Sequence, residues 1–416
     1  MRWFIFIVLY ILVDIYAFQA VKTLTKNPWV YGVYVFLSVA ILGVLVYEIT
    51  TLGKGKVLDI NTMYAFGLFL TFFVPKLLLI IFMFSEDIGR FFVGTFMKVA
   101  GSSDVPFMAS RRKFVSTIAL GIAAIPFASL LYGMVKGRYN YRVLKYSLEF
   151  DDLPDEFDGY TITQLSDIHS GSFDNREKVE YAINLVNEQK SDVIVFTGDL
   201  VNNVAEELDD WKQLFSTLKA SDGVFSILGN HDYGDYVKWD TKESQALNLQ
   251  KLKDTQKEMG WDLLLNENRY LHKNDAKIAL VGVENWGENG FKKAGDLDKA
   301  MEGVSESDFK VLLSHDPSHW QSVVREDPRN FHLTLSGHTH GMQFGIEIPG
   351  ILKWSPIKYR YKYWAGIYKE FGRYINVNRG FGYLGYPGRV GMWPEITVIK
   401  LKKKSLITPK GETNAV

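Results

Sequence analysis

The pattern of apolar and polar positions divides this chain of 416 residues into two unlike parts. Four long apolar runs dominate the first, from Trp3 to Val21, Trp29 to Ile49, Met63 to Phe84 and Phe114 to Val135. As helices, each is long enough to cross a hydrocarbon core of about 30 Å. Four such runs in one stretch predict a four-helix membrane domain rather than buried soluble helices. The first reads as a span and not as a cleaved signal peptide, because no small-x-small site closes it and three more spans follow.

Beyond Val135 the period changes. Short β-branched or apolar runs at Tyr160–Ser166, Asp192–Thr197, Gly223–Leu228, Lys277–Val283, Phe309–Ser314 and Phe331–Ser336 predict strands, and Arg176–Lys190 and Lys238–Met259 predict helices. This alternation predicts an α/β sheet with a site along the carboxyl edge of its strands. The chain then partitions into a transmembrane domain over 1–135, a basic aromatic connector over 136–147, a catalytic domain over 148–403 and a flexible tail over 404–416.

Net charge is zero, so no nucleic-acid partner is expected, and composition leaves the oligomeric state open. The chain has no cysteine, which removes disulfides, thiolate zinc sites and thiol nucleophiles. Basic residues flanking the four runs divide evenly between the two sides, so the positive-inside rule does not orient them. Arg111 and Arg112, directly before the fourth run, resemble a twin-arginine export signal. On that resemblance the protein is expected in a bacterial inner membrane, with its catalytic domain on the outer face. Asp14 and Lys76 fall inside predicted spans, where a charge is costly, and are expected to meet each other, a partner or water.

Five islands of metal-ligand residues each close a predicted strand: Asp167 with His169, Asp199, Asn230 with His231 and Asp232, His315, and His338 with His340. Carboxylate and amide oxygens mixed with imidazoles suit Mn, Fe or Zn better than Ca. The acids and histidines exceed what one ion needs, so two divalent ions are expected. Such a pair can clamp the attacking and leaving oxygens of an in-line displacement at phosphorus.

In order and type, D-x-H, G-D, G-N-H-D, H and G-H-T-H, these islands resemble the calcineurin-like metallophosphoesterase superfamily. The text around them, Gln164–His169, Leu313–Pro317, Ser336–Gln343 and Asn378–Gly382, is similar to its bacterial YkuE/YaeI-like branch. The resemblance covers Leu148 to Leu401 and implies a four-layer αββα sandwich. It further implies that Asp167, His169 and His340 bind one metal, that Asn230, His315 and His338 bind the other, and that Asp199 bridges them. His231 would face the substrate phosphate as a catalytic group, with Asp232 orienting its ring.

Arg379 and Arg389, in a glycine-rich stretch, are further candidates for gripping a phosphate oxygen. Trp354–Tyr374 mixes basic and aromatic residues, as would suit a lid over a lipid headgroup, a membrane-facing rim or a solvated edge hairpin. The expected activity is hydrolysis of a phosphomonoester or phosphodiester beside a membrane bilayer, with a lipid or cell-envelope ester as one substrate option. The alternative is a sensor or assembly module that binds metal without turnover.

Overall fold

The computed structural model describes residues 2–52, 59–100, 109–288, 290–348 and 350–404. Its contacts form two units: a helical one holding four long helices and Gly385–Val390, and an α/β one running from Arg138 to Leu384 and on from Gly391. The tail beyond residue 404 lies outside the described residues.

In the helical unit, α1 (Arg2–Leu24), α2 (Pro28–Leu52), α3 (Ile60–Val99) and α4 (Ala109–Val135) are all long and apolar enough to cross a membrane. Asp14 and Lys76 do meet: the Lys76 ammonium contacts the Asp14 carboxylate, and Ser38 Oγ lies 2.8 Å from Asp14 Oδ1 and 2.7 Å from Lys76 Nζ. Each intramembrane charge is thereby paired, as low dielectric demands. One element differs from expectation. α3 continues fifteen residues past Phe84, where the apolar run closes, to Val99, and there Arg112 of α4 pairs with Glu86 and Asp87. At 1.5 Å per residue its 40 residues extend about 60 Å, twice the hydrocarbon thickness.

The α/β unit runs β1 (Arg142–Phe150), β2 (Thr161–Leu165), α5 (Arg176–Glu188), β3 (Val193–Phe196), α6 (Lys212–Phe215), β4 (Val224–Ser226), α7 (Lys242–Glu258), β5 (Trp261–Leu263), β6 (Glu267–Lys273) and β7 (Ala276–Gly282). It continues with α8 (Leu297–Ala300), β8 (Lys310–Leu313), α9 (Pro317–Ser322), β9 (Leu333–Ser336), β10 (Ile346–Ile348), β11 (Leu352–Trp354), β12 (Gly366–Glu370), β13 (Arg373–Val377) and β14 (Glu395–Lys403). One six-stranded mixed sheet has the order β1-β14-β2-β3-β4-β5 and a second β12-β13-β9-β8-β7-β6, with β10 and β11 as a separate hairpin.

Strand alternation builds the layers. Val193 and Val195 of β3 point into a core shared with Val311 and Leu313 of β8, while Ile194 and Phe196 point outward to Val179, Ile183 and Val186 of α5. On the far side of the second sheet, Leu312 packs with Leu297 and Ala300 of α8 and Trp320 of α9. The result is the expected αββα sandwich. Both faces of β3 are buried, which is why it reads as an unbroken apolar run.

Neighbours β2, β3 and β4 run parallel, as do β8 and β9, so each group delivers its carboxyl ends to one edge. Those ends lead into Asp167, Asp199, Asn230, His315 and His338. β1 begins at Arg142, pairing with β14 from Glu395 onward, within the stretch that reads as a connector in sequence.

Candidate metal centre

All five ligand islands converge. Asp167, His169 and His340 form one group of ligand atoms lying within 4.8 Å of one another, and Asp199, His315 and His338 form a second. His169 Nε2 lies 3.0 Å from His340 Nε2, and His340 Nε2 lies 3.2 Å from Asp167 Oδ1. Asp199 Oδ2 stands between the groups, 3.1 Å from His315 Nε2 and 3.6 Å from His169 Nε2. Asn230 Oδ1 is 2.8 Å from His338 Nδ1.

The backbone is bent hard to achieve this. Asp167, His169, Asp199, His338 and His340 all have left-handed φ, between 49° and 71°. For non-glycine residues each such conformation costs on the order of 1 kcal/mol, so the surrounding structure must impose it. Two close approaches require glycine: a Cβ on Gly229 would stand 2.2 Å from Asp199 Oδ1, and one on Gly337 1.9 Å from Ser166 Oγ.

The electrostatics follow from burying acids among imidazoles. Burial alone would raise Asp167 and Asp199, but His340 beside the first and His315 beside the second hold both carboxyls below the usual range. Burial would likewise lower His315, yet Asp199 raises it to about 10. Burial holds His169 well below the ordinary imidazole value, leaving it neutral with one ring nitrogen free to coordinate.

These residues fit metal ions. Two imidazole nitrogens facing each other at 3.0 Å share at most one proton, whereas a cation takes both lone pairs. His169 Nδ1 and His315 Nε2 are buried without a hydrogen-bond partner, the second despite its short approach to Asp199. His315 Nδ1 lies 2.7 Å from the Thr197 carbonyl, which fixes that nitrogen as the donor and leaves Nε2 to coordinate. The donor set of carboxylate, imidazole and amide, without thiolate, suits divalent metal ions.

His231 lines the same cavity, about 190 Å³ in volume, with Phe291, Ile357, Arg360, Tyr361 and Leu384. Its Nδ1 lies 2.7 Å from the Asn202 carbonyl, and its ring packs on Tyr236 with centroids 4.5 Å apart and the planes tilted by 38°. Asp232 does not orient that ring. Its carboxylate accepts from the backbone N–H of Gly229 (2.8 Å), Asp199 (2.9 Å), Leu200 (2.8 Å) and Val201 (3.3 Å), because the tight G-N-H-D turn points it into the adjoining loop. Burial, then Asp199, pushes Asp232 up to about 7, while three of those amides pull the other way. With only donors around it, the ionised form suits the loop.

Neither Arg379 nor Arg389 lines the cavity. Arg379 is tied to Glu347 and Glu395 in a separate cleft. Arg389 is buried in the helical unit, its N–H donating to the Gly133 carbonyl at 3.2 Å. Sequence reasoning missed Arg360, Tyr361, Tyr236 and Asn202. The basic aromatic stretch hinted at the first two, but Asn202 acts through a backbone carbonyl that no residue type announces.

Two family models match the chain. Residues 1–138 match "Probable Calcineurin-like phosphoesterase, transmembrane domain", and residues 160–342 match "Calcineurin-like phosphoesterase". A "Transmembrane protein with metallophosphoesterase domain" of Danio rerio is 28% identical over 69% of this chain, which spans only 63% of that protein's length. The uncharacterized metallophosphoesterase YkuE of Bacillus subtilis is 29% identical over 70% of this chain and 98% of its own. Among solved structures, the phosphopantetheinyl hydrolase of Mycobacterium tuberculosis aligns at 13% identity over 53% of this chain and 89% of its own, with a TM-score of 0.31. The chain belongs to the calcineurin-like metallophosphoesterases, with that family's four-helix transmembrane domain at its N-terminus.

Proposed function

We propose that this protein is a membrane-anchored phosphohydrolase that cleaves a phosphate ester with two divalent metals. One observation carries the reading: two buried acid–imidazole groups, holding unpartnered ring nitrogens, open onto one cavity with His231 on its wall. Asp167, His169 and His340 would hold one ion and Asn230, His315 and His338 the other, with Asp199 between the two groups. When bound, the ions neutralise phosphate charge and polarise phosphorus for attack by water.

The chain's own groups supply the rest. His231 donates its Nδ1–H to the Asn202 carbonyl, so Nε2 is the ring atom left to exchange a proton with the leaving oxygen: the imidazolium gives that proton up, and the neutral ring left behind regains one from water. Arg360 is the cation lining the cavity among the described residues, and grips a non-bridging phosphate oxygen. Tyr361 holds His338, its hydroxyl 2.8 Å from Nε2. Phe291, Ile357 and Leu384 form an apolar wall that limits water at the reacting phosphorus.

The test uses the purified full chain with Mn and a p-nitrophenyl phosphate mono- or diester. A chelator abolishes turnover and added metal restores it. His231→Gln keeps its metal and loses about 10²- to 10⁴-fold in kcat; full turnover in that variant sinks the proposed role. Metal binding by the wild type with no turnover of any ester supports a sensor or assembly module instead. For the outer-face location the support is the resemblance of Arg111 and Arg112 to an export signal, although Glu86 and Asp87 also give Arg112 a structural task. A compartment-sensitive reporter after Val416 tests it, and a cytoplasmic signal refutes it.

A further inference from the structure

The hairpin of β10 and β11 is amphipathic in the inverted sense. Its register pairs Ile346 with Trp354, Glu347 with Lys353 and Ile348 with Leu352. Directly opposed residues share a face, and faces alternate along a strand. Ile346, Ile348, Leu352 and Trp354 therefore lie on one side, Glu347 and Lys353 on the other. The charged side is the one with polar partners. Glu347 accepts from Arg379 Nη2 at 2.7 Å, and Lys353 contacts the Ala365 carbonyl with its ammonium 5.0 Å from the Trp364 ring centre. On the apolar side Ile346, Ile348 and Leu352 are exposed and Trp354 is half-buried; Met342 nearby is exposed, and Ile351 at the tip is 81% exposed.

A water-facing hairpin normally presents the opposite arrangement, and a contiguous exposed apolar face marks an interaction site. The next turn adds Tyr359, 78% exposed, among Lys358, Arg360 and Lys362. An exposed apolar hairpin followed by a turn with an exposed tyrosine and cations matches a lipid interface with anionic headgroups. The chain itself carries four helices able to cross a membrane, so a bilayer is always within reach. The same turn supplies Ile357, Arg360 and Tyr361 to the cavity.

We propose that the β10–β11 hairpin inserts its apolar face into the bilayer interface, presenting the metal cavity to an amphiphilic phosphate ester whose apolar part stays in the lipid. The substrate half of this statement rests on the hydrolase reading above; the insertion half does not.

Because the chain has no cysteine, Ile351→Cys in the full chain takes a single environment-sensitive fluorophore. Leu247→Cys, at an exposed position on α7, is the control. Both are placed in nanodiscs of phosphatidylcholine and phosphatidylglycerol holding one copy each. Insertion gives a blue-shifted Ile351→Cys signal, quenched by nitroxide-labelled lipid and shielded from iodide, with the reverse at Leu247→Cys. Equal iodide access at both positions overturns the proposal. So does shielding that occurs only in discs holding two copies, which assigns the face to a second copy of this chain. In the kinetic arm, Ile348→Glu with Ile351→Glu keeps turnover of p-nitrophenyl phosphate and raises KM for phosphatidic acid in vesicles about tenfold or more, as expected for losing two inserted side chains. Unchanged KM for the lipid overturns the amphiphile reading. Wild-type chain inactive on both esters, with the labelled tip still shielded, fails the hydrolase reading and leaves insertion standing.

Discussion

Replacing Asp232 by Asn tests how the loops of the metal centre are held. The carboxylate accepts four backbone N–H groups, from Asp199 and Gly229 on one oxygen and Leu200 and Val201 on the other. An amide retains one acceptor oxygen and turns a donor toward the other pair, stranding two buried N–H groups. Hydrogen bonds to a charged acceptor contribute roughly 1.5–3 kcal/mol each, so losing two costs about 3–6 kcal/mol. For a unit of this size that lowers Tm by about 10 °C. Because Asp199 is one of the residues held, metal affinity falls with it, by about 10- to 100-fold. Thermal unfolding of the full chain in detergent and metal content after dialysis measure both. A variant within about 1 kcal/mol of wild type, with its metal retained and only kcat reduced, would refute the loop-holding role and restore Asp232 as a partner of the His231 ring.

Further outcomes follow from other groups. Arg360→Ala lowers kcat/KM about 10- to 100-fold through KM, and Arg360→Lys recovers part of it, since a lysine keeps the charge without the fork; unchanged steady-state kinetics remove Arg360 from the site. His319 is buried against Trp286 at 4.7 Å, and burial pushes its imidazole down to about 3. Above pH 6.5 neither state binds the extra proton. As pH falls from 6.5 toward 3 the unfolded chain takes it and the folded one refuses, so stability drops by up to about 1.4 kcal/mol per unit. His319→Gln flattens that slope in denaturant titrations between pH 4 and 7; an identical slope contradicts the assignment. In the helical unit, Asp14→Asn or Lys76→Met alone leaves a buried charge and costs about 3–5 kcal/mol, while the double variant regains most of it. Additive losses in detergent melts would show that the pair is not coupled.

Much of this architecture is legible in sequence because local pattern and global environment agree. Val193–Phe196 reads as a strand buried on both faces and is one, and the ligand islands sit where strands end because only those ends converge. Reading fails where the deciding partner is distant. Arg379 looks available within its glycine-rich loop, yet Glu347 and Glu395 claim it from 32 and 16 positions away. The apolar run closes at Phe84, yet the helix continues past Glu86 and Asp87, which Arg112 answers from the next helix. His231 is oriented by a main-chain carbonyl, and Asp232 by main-chain amides, neither of which has a side-chain signature.

The left-handed backbone at Asp167, His169, Asp199, His338 and His340 narrows the alphabet available at this centre. Aspartate, asparagine and histidine are the non-glycine residues that most readily adopt that conformation. They are also oxygen and nitrogen donors. Chemistry and chain geometry therefore select the same few letters, and any other residue is penalised twice. For anyone building an inactive version of this protein as a substrate trap, alanine is the wrong choice at these five positions, since it removes the ligand and misfits the turn. Asparagine removes the charge or the imidazole while leaving the loop its preferred shape.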